Sequence, residues 1–295
     1  MTTRRDILRY SIATTTALAG ATTAFASVGG AIDSAADAKR KINIAGRQRM
    51  LTQRMAKAAC FAFLGVEREM HVEQAKSAHD LFDRSLRGLR FGDPDLGLKT
   101  ERNSRVQEGL GVVNGLWFSY GGAVETAISR ASREDVDAVI EQNLPILKEM
   151  NRAVSYTEQA YGGSEVPLHI AIAINIAGRQ RMLTQKMSKE ASMLAIGYAP
   201  DDTKAMLAET IALFENSLQA LREGMALVGI QPPKTPEVKR KLAGVAELWG
   251  DLKPVMDRVV AADTVDDAAL EHVAAQNNPL LVAMNEAVFL YENET

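Results

Sequence analysis

The sequence contains little cysteine and few aromatic residues. Cys60 is the only cysteine among 295 residues, so a disulfide within one chain is excluded. Aromatic residues make up 5% of the chain, runs of β-branched residues are few, and alanine and leucine are abundant. Such a composition favours helices over strands. We therefore predict an all-α fold.

Sequence patterns typical of metal, cofactor and catalytic sites are also missing. The four histidines lack the i,i+4 and zinc-type spacings, and no C-x-x-C-H haem motif occurs. Nor does the sequence suggest a nucleophile–base pair, paired catalytic carboxylates or a cofactor fingerprint. We predict no metal site, no cofactor and no enzymatic activity.

After residue 26, no apolar run reaches the 18 or so residues that a membrane-spanning helix needs. The segment 3–9, TRRDILR, resembles a twin-arginine export signal, and Ala-x-Ala at 24–26 resembles a cleavage site. We predict that residues 1–26 are a signal peptide and that the mature protein resides in the periplasm. The alternative is a basic, disordered N-terminus. The net charge of −3 and this compartment argue against a nucleic-acid partner.

One motif occurs twice. The sixteen residues INIAGRQRMLTQRMAK at 42–57 recur at 174–189, 132 positions later, with fourteen positions identical. Weaker similarity continues at this offset, which becomes 134 late in each half. A unit of about 130 residues has the size of a domain. We predict a tandem duplication, with one domain at 32–161 and the other at 168–293.

Each repeat is predicted to contain four helices. In the first repeat they lie at about 32–67, 70–90, 100–130 and from a capping box at Ser132. In the second they lie at about 168–198, after Pro200-Asp201-Asp202, at 236–261 with Thr235 as the cap, and from a capping box at Thr264. Each fourth helix contains a proline that should kink it, Pro145 or Pro279. The recurrent asparagines nearby are interpreted as satisfying backbone groups freed by the kink: Asn143, Asn151, Asn277 and Asn285.

Four helices with short loops imply an up-down-up-down bundle, in which the fourth helix ends beside the start of the first. The linker 162–167 is short, so the second bundle must start there and point the same way. The two motif helices should therefore lie parallel and adjacent. We predict two tandem up-down four-helix bundles related by pseudo-twofold symmetry.

On a helical wheel, one side of the motif helix carries small residues around a single arginine, Arg49 or its equivalent Arg181. If these sides face each other, two guanidinium groups at ~5 Å repel by roughly 3 kcal/mol. A planar anion between them would reverse the sign, because a guanidinium fork matches an oxyanion. The predicted ligand-binding residues are Arg49, Arg181, Gly46, Gly178, Gln53, Gln185, Thr52 and Thr184.

The pattern N-x-A-G-x-x-R-M at Asn43–Met50 and Asn175–Met182 resembles the signature of a known family. This is the N-terminal (PilJ-type) domain of type IV pili methyl-accepting chemotaxis transducers, as in the periplasmic sensor domain of nitrate/nitrite sensor histidine kinases. The resemblance implies a four-helix domain in which two motif helices clasp one nitrate. The arginine of R-M, here Arg49 or Arg181, would hold the anion, with the motif glycine beside it.

The sequence departs from that sensor pattern between the glycine and the arginine, at Arg47-Gln48 and Arg179-Gln180. Leucine also replaces the polar residue after methionine, at Leu51 and Leu183. These departures leave the identity of the anion open.

We thus expect a periplasmic protein that binds or senses nitrate, nitrite or a similar small anion between its repeats. It has no output domain of its own, so a membrane-bound signalling protein would receive the signal. The alternative is a ligand-free structural or interaction module that docks on a membrane receptor or a chemotaxis or pilus signalling complex. Arginines that converge without carboxylates would support the anion, and ion pairs to Asp or Glu would support the alternative.

Overall fold

The computed structural model describes residues 35–293, and within this range eight α-helices form two four-helix bundles. The first bundle consists of α1 (Ala35–Leu64), α2 (Arg68–Phe91), α3 (Ser104–Arg130) and α4 (Arg133–Tyr161). The second consists of α5 (Leu168–Ile196), α6 (Pro200–Glu223), α7 (Pro236–Ala261) and α8 (Asp267–Glu292). The predicted all-α fold of two tandem bundles is confirmed.

Two predictions, the signal peptide and the exact domain boundaries, are not tested by this fold. The predicted signal peptide at 1–26 lies outside the described residues. The domain boundaries at 32–161 and 168–293 stay a prediction. None of the described helices has both the length and the apolar character needed to cross a bilayer.

The sequence signals for helix starts are only partly correct. The side chains of Ser132 and Thr235 cap α4 and α7 as predicted, each accepting the backbone N–H three residues later. The predicted cap at Thr264 is wrong, since Asp266 caps α8 in the same way. The predicted start of α6 is also wrong. Pro200 is its first residue, where a missing N–H costs nothing because that group has no partner inside the helix.

The two motif helices, α1 and α5, lie at the centre of the molecule. Between residues 44 and 62 every side chain of α1 is buried except Arg47 and Arg54, which are partly exposed. Each motif helix packs on one side against its own bundle and on the other against the motif helix of the other bundle. A helix covered on all sides has no need of the polar stripe of a surface helix. We call the contact between α1 and α5 the inter-repeat seam.

The inter-repeat seam has the predicted pseudo-twofold symmetry. Arg49 of α1 binds Asn175 of α5, and its equivalent Arg181 binds Asn43, the equivalent of Asn175. Such reciprocal contacts indicate a twofold relation between α1 and α5. The two helices run parallel, because Gly46 and Gly178 lie beside the same pair of arginines and, farther along, Cys60 forms a hydrogen bond with its equivalent Ser192. The linker achieves this with a tight turn in which Gly163 adopts a left-handed φ of 86°.

Two fully buried lysines join the bundles farther along the seam. Lys57 Nζ of α1 donates to Asn277 Oδ1 of α8 at 2.9 Å, and Lys189 Nζ of α5 donates to Asn143 Oδ1 of α4 at 2.9 Å. Burial lowers the pKa of Lys57 well below its ordinary value and lowers the pKa of Lys189 to about 8. The side-chain N–H groups of the same asparagines donate to backbone carbonyls of the motif helices.

These contacts correct the interpretation of Asn143 and Asn277. Both were expected to satisfy backbone groups freed by the prolines of α4 and α8. Instead, each connects its helix to the motif helix of its own bundle and to a lysine of the other bundle. Their side chains therefore help to hold the inter-repeat seam together.

We expect the stability of the protein to rise with pH between 8 and 10.5, in part because of Lys189. Its folded-state pKa of about 8 lies below the ordinary value of 10.5, so in this interval the unfolded chain binds more protons than the folded one. In Lys189→Met, the free energy of unfolding should increase less between these two pH values, by an amount on the order of 3 kcal/mol or less. Urea unfolding of both proteins at pH 8 and 10.5 measures this difference.

The matched control for this prediction is Lys239→Met, which replaces an exposed lysine of α7. This variant should keep the full rise of the native protein. An equally large rise in Lys189→Met would contradict a lowered pKa at Lys189.

Candidate anion-binding site

Arg49 and Arg181 converge in the middle of the inter-repeat seam, where they are 4% and 3% exposed. A methyl group placed on Gly46 would lie 3.5 Å from Arg49 Nη2 and 3.7 Å from Arg181 Nη2. One placed on Gly178 would lie 3.2 Å from Arg181 Nη2 and 3.7 Å from Arg49 Nη2. Both guanidinium groups therefore border the space beside each glycine.

The Nη2 nitrogen of each arginine binds an asparagine of the opposite repeat. Arg49 Nη2 donates to Asn175 Oδ1 at 2.8 Å and to the Asn175 carbonyl at 3.2 Å. Arg181 Nη2 donates to Asn43 Oδ1 at 2.8 Å and to the Asn43 carbonyl at 3.3 Å. These bonds fix each side chain across the seam.

The other guanidinium nitrogens are less fully bonded. Arg49 Nη1 donates to Asn151 Oδ1 at 3.4 Å, and Arg181 Nη1 donates to Asn285 Oδ1 at 3.3 Å. Arg49 Nε faces the Gly46 carbonyl at 3.4 Å, whereas Arg181 Nε has no partner within the described part of the chain. A guanidinium has five N–H donors. Each arginine therefore keeps at least one donor that a ligand could use.

Neither arginine forms an ion pair with a carboxylate among residues 35–293, and the pKa values of both are lowered. Burial, and then the like charges of Arg179 and Arg181, lower the pKa of Arg49 to about 9. Burial lowers the pKa of Arg181 to about 9 as well, an effect that Glu292 opposes. A buried charge is costly without an opposite charge close by. An anion between the arginines would supply that charge.

Two carboxylates reach the arginines only through the asparagines. Asn175 Nδ2 donates to Glu158 Oε2 of α4, and Asn43 Nδ2 donates to Glu292 Oε2 of α8. Burial raises the pKa of Glu158, although the hydrogen bond from Asn175 and the charge of Arg49 act the other way. The direct partners of the arginines are therefore neutral oxygens.

The other four predicted ligand residues have partners elsewhere. The hydroxyl groups of Thr52 and Thr184 donate to carbonyl oxygens of their own helices. Gln53 Nε2 donates to Thr52, and Gln185 Nε2 donates to Asn277. Both glutamine Oε1 atoms are buried and unpaired within the described chain, but a carbonyl oxygen repels an anion. The structure thus brings together the arginines and glycines, and a ligand role for these four stays a prediction.

Sequence reasoning missed the asparagines that hold the arginines. Asn43 and Asn175 belong to the motif but received no role, and Asn151 and Asn285 were assigned to the proline kinks. The latter interpretation is wrong, because their Oδ1 atoms accept hydrogen bonds from the arginines. The signal that could have found all four is their recurrence in both repeats, together with the buried arginines' need for acceptors.

The model of one protein family matches both halves of the chain. This family, "Type IV pili methyl-accepting chemotaxis transducer N-term" (PilJ), matches residues 31–142 and 167–275. Each matched segment includes one copy of the motif, at 42–57 or 174–189. The family is one of chemotaxis transducer domains rather than of enzymes.

The chain is also similar to a chemoreceptor of Pseudomonas aeruginosa. It is 37% identical to the methyl-accepting chemotaxis protein McpN over 117 residues, which are 40% of this chain and 21% of the relative. The match thus spans about a fifth of that relative's length. A solved structure, the ligand binding domain of the P. aeruginosa nitrate receptor McpN, is 35% identical. The match covers 40% of this chain and 91% of the solved McpN domain, with a TM-score of 0.35.

The family match has the same twofold arrangement as the sequence repeat and the two bundles. It extends over most of the chain in two segments of similar length, 31–142 and 167–275. The chain therefore belongs to the family of N-terminal domains of type IV pili methyl-accepting chemotaxis transducers, of which it contains two tandem copies.

Proposed function

We propose that the protein binds and senses a small oxyanion, nitrate or nitrite, held between its two repeats. The observation that carries the proposal is the convergence of two buried guanidinium groups beside Gly46 and Gly178, with neutral direct partners. A relative described as a nitrate receptor supports this choice of ligand. The function is one of binding rather than of catalysis.

The energetics of the site favour an anion of this kind. Two guanidinium groups at a separation of ~5 Å repel by roughly 3 kcal/mol at an effective dielectric constant near 20. An oxyanion between them replaces this repulsion with charge-assisted hydrogen bonds, which are about twice as strong as neutral ones. A flat ion with several oxygens can present one oxygen edge to Arg49 and another to Arg181.

Both arginines belong to one chain, and this fixes the expected stoichiometry. The pseudo-twofold axis of the seam takes the place of the symmetry axis of a dimer. One chain should therefore bind one anion, and the affinity should not depend on protein concentration. A site shared between two chains would weaken on dilution.

We also propose that the protein acts in the periplasm and reports to a membrane-bound signalling protein. The twin-arginine-type sequence at 3–9 supports export. Membership of a chemotaxis transducer family supports a signalling partner. Because the anion site lies on the contact between the bundles, occupancy would alter how they are held together.

One observation favours a second candidate, a ligand-free structural or interaction module. Arg49 and Arg181 already bind asparagines across the seam, so they contribute to its cohesion without a ligand. Such a module would dock on a membrane receptor or on a chemotaxis or pilus signalling complex. Anion binding distinguishes the two candidates.

We expect isothermal titration calorimetry to show saturable binding of nitrate or nitrite at one anion per chain. Sulfate and chloride at the same ionic strength are the comparison ligands. Arg49→Ala or Arg181→Ala should each abolish binding, because one guanidinium cannot enclose the anion. Helicity measured by circular dichroism should stay unchanged in both variants.

The matched control is Arg54→Ala. This change also removes an arginine of α1 and one hydrogen bond between the repeats, to Asn278 of α8, but outside the proposed site. It should retain anion binding. If both site variants bind as tightly as the native protein, the site assignment is wrong; if no anion binds the native protein, the structural module is favoured.

Gly178→Ala should weaken nitrate binding without weakening the fold. The added methyl group would lie 3.2 Å from Arg181 Nη2 and would displace the flexible end of that side chain. Alanine is also the better helix former, by about 1 kcal/mol. Calorimetry should show an affinity loss of about tenfold, equivalent to ~1.4 kcal/mol, and thermal unfolding should show no loss of stability.

Gly46→Ala is the graded comparison, because its methyl group would lie at 3.5 Å from Arg49 Nη2, an ordinary contact distance. We expect it to lose less affinity than Gly178→Ala. Equal and unchanged affinity in both variants would place the anion away from these glycines.

A further inference from the structure

Two hydrogen-bonded chains of side chains lead from the arginines to the last turns of α4 and α8. In one, Arg49 of the first repeat binds Asn175 of the second, and Asn175 binds Glu158 near the end of α4 in the first repeat. In the other, Arg181 binds Asn43, and Asn43 binds Glu292 at the end of α8. Each series of hydrogen bonds thus passes from one repeat to the other twice.

We propose that Asn175 and Asn43 are positioning residues that couple anion occupancy to the last turns of α4 and α8, respectively. This inference rests on the proposed function and names the route by which occupancy changes the bundles. Each asparagine uses its carbonyl oxygen for the arginine and its amide N–H for the carboxylate. A change in the hydrogen bond to the arginine therefore affects the hydrogen bond to the carboxylate, and the reverse also holds.

The competition for the guanidinium donors gives the coupling its direction. An anion between the arginines competes with the Oδ1 atoms of Asn175 and Asn43 for the two Nη2 nitrogens. The charged acceptor forms the stronger bond, so Nη2 turns from the asparagine to the anion. The asparagine then loses the partner that orients it, and its bond to the carboxylate is weakened. The last turn of the helix becomes easier to open.

The carboxylates that end the two series of hydrogen bonds, Glu158 and Glu292, differ in their other partners. Glu292 also forms an ion pair with Arg40 of α1, Nε to Oε1, at 3.1 Å. The residue equivalent to Arg40 in the second repeat is Ile172, which cannot pair with Glu158. Asn175 is therefore the more important partner for its carboxylate, and the larger response to the anion is expected at Glu158. One turn later, Tyr161 is held separately by the hydrogen bond from its hydroxyl group to Glu101 Oε1 at 2.7 Å.

Hydrogen–deuterium exchange of the purified protein, with saturating sodium nitrate or with sodium chloride at equal ionic strength, tests the coupling. In the native protein, nitrate should speed amide exchange severalfold in 154–161 and by a smaller factor in 285–292. The test variants are Asn175→Leu and Asn43→Leu, which keep the size of the side chain and remove its hydrogen bonds. Each serves as the matched control of the other.

We expect a crossed pattern of results. Asn175→Leu should lose the nitrate response in 154–161 and keep it in 285–292, and Asn43→Leu should do the reverse. Both variants should still bind nitrate in calorimetry. Loss of both responses in each variant, or of neither, would overturn the proposal, since a merely structural role does not distinguish the two helix ends.

A measurement without anion keeps the inference separate from the proposed function. In nitrate-free buffer, Arg49→Ala should speed exchange in 154–161 but not in 285–292, because it removes the partner that orients Asn175. Arg181→Ala should show the opposite pattern. If nitrate fails to bind the native protein but this pattern appears, the coupling stands and the ligand proposal fails. If nitrate binds and the pattern is absent, the coupling is wrong.

Discussion

The structure depends on the burial of two arginines against each other at the contact of two parallel helices. Arg49 and Arg181 are almost inaccessible to solvent, and their direct partners in the described chain are neutral oxygens. Two buried like charges oppose the packing that brings them together. Three features offset this electrostatic cost. Small residues leave room around the arginines, asparagines accept their hydrogen bonds, and the proposed anion lies between them.

The duplication explains how a single chain creates this arrangement. Parallel helices with equivalent residues facing each other normally require two subunits and a symmetry axis. Here the linker at 162–167 starts the second bundle beside the first and in the same direction, so that α1 and α5 meet within one chain. Outside the motif the two copies have diverged. Arg40 and its equivalent Ile172 show this, since among residues 35–293 Arg40 forms an ion pair with Glu292 at the end of α8, whereas Ile172 has no charge to offer the end of α4.

Sequence reasoning was accurate where a residue's role depends on its own helix. The 3.6-residue periodicity and capping signals predicted the helices, and the wheel of 42–57 predicted which side would face the other repeat. It was wrong where the role depends on a distant partner. Asn151 and Asn285 were assigned to nearby prolines, yet they bind the arginines. The exceptions within a helix are two start positions: α8 is capped by Asp266 rather than Thr264, and α6 starts at Pro200.

The sequence by itself determined the all-α fold, the tandem duplication and the convergence of Arg49 with Arg181, because periodicity, internal repetition and a short linker are local properties. Only the tertiary structure decided which oxygens the guanidinium groups bind. Those partners come from Asn43 and Asn175, each on the opposite motif helix, and from the fourth helices. Spacing along one helix fixes which side an arginine occupies, but its hydrogen bonds depend on the relative positions of four helices from two repeats.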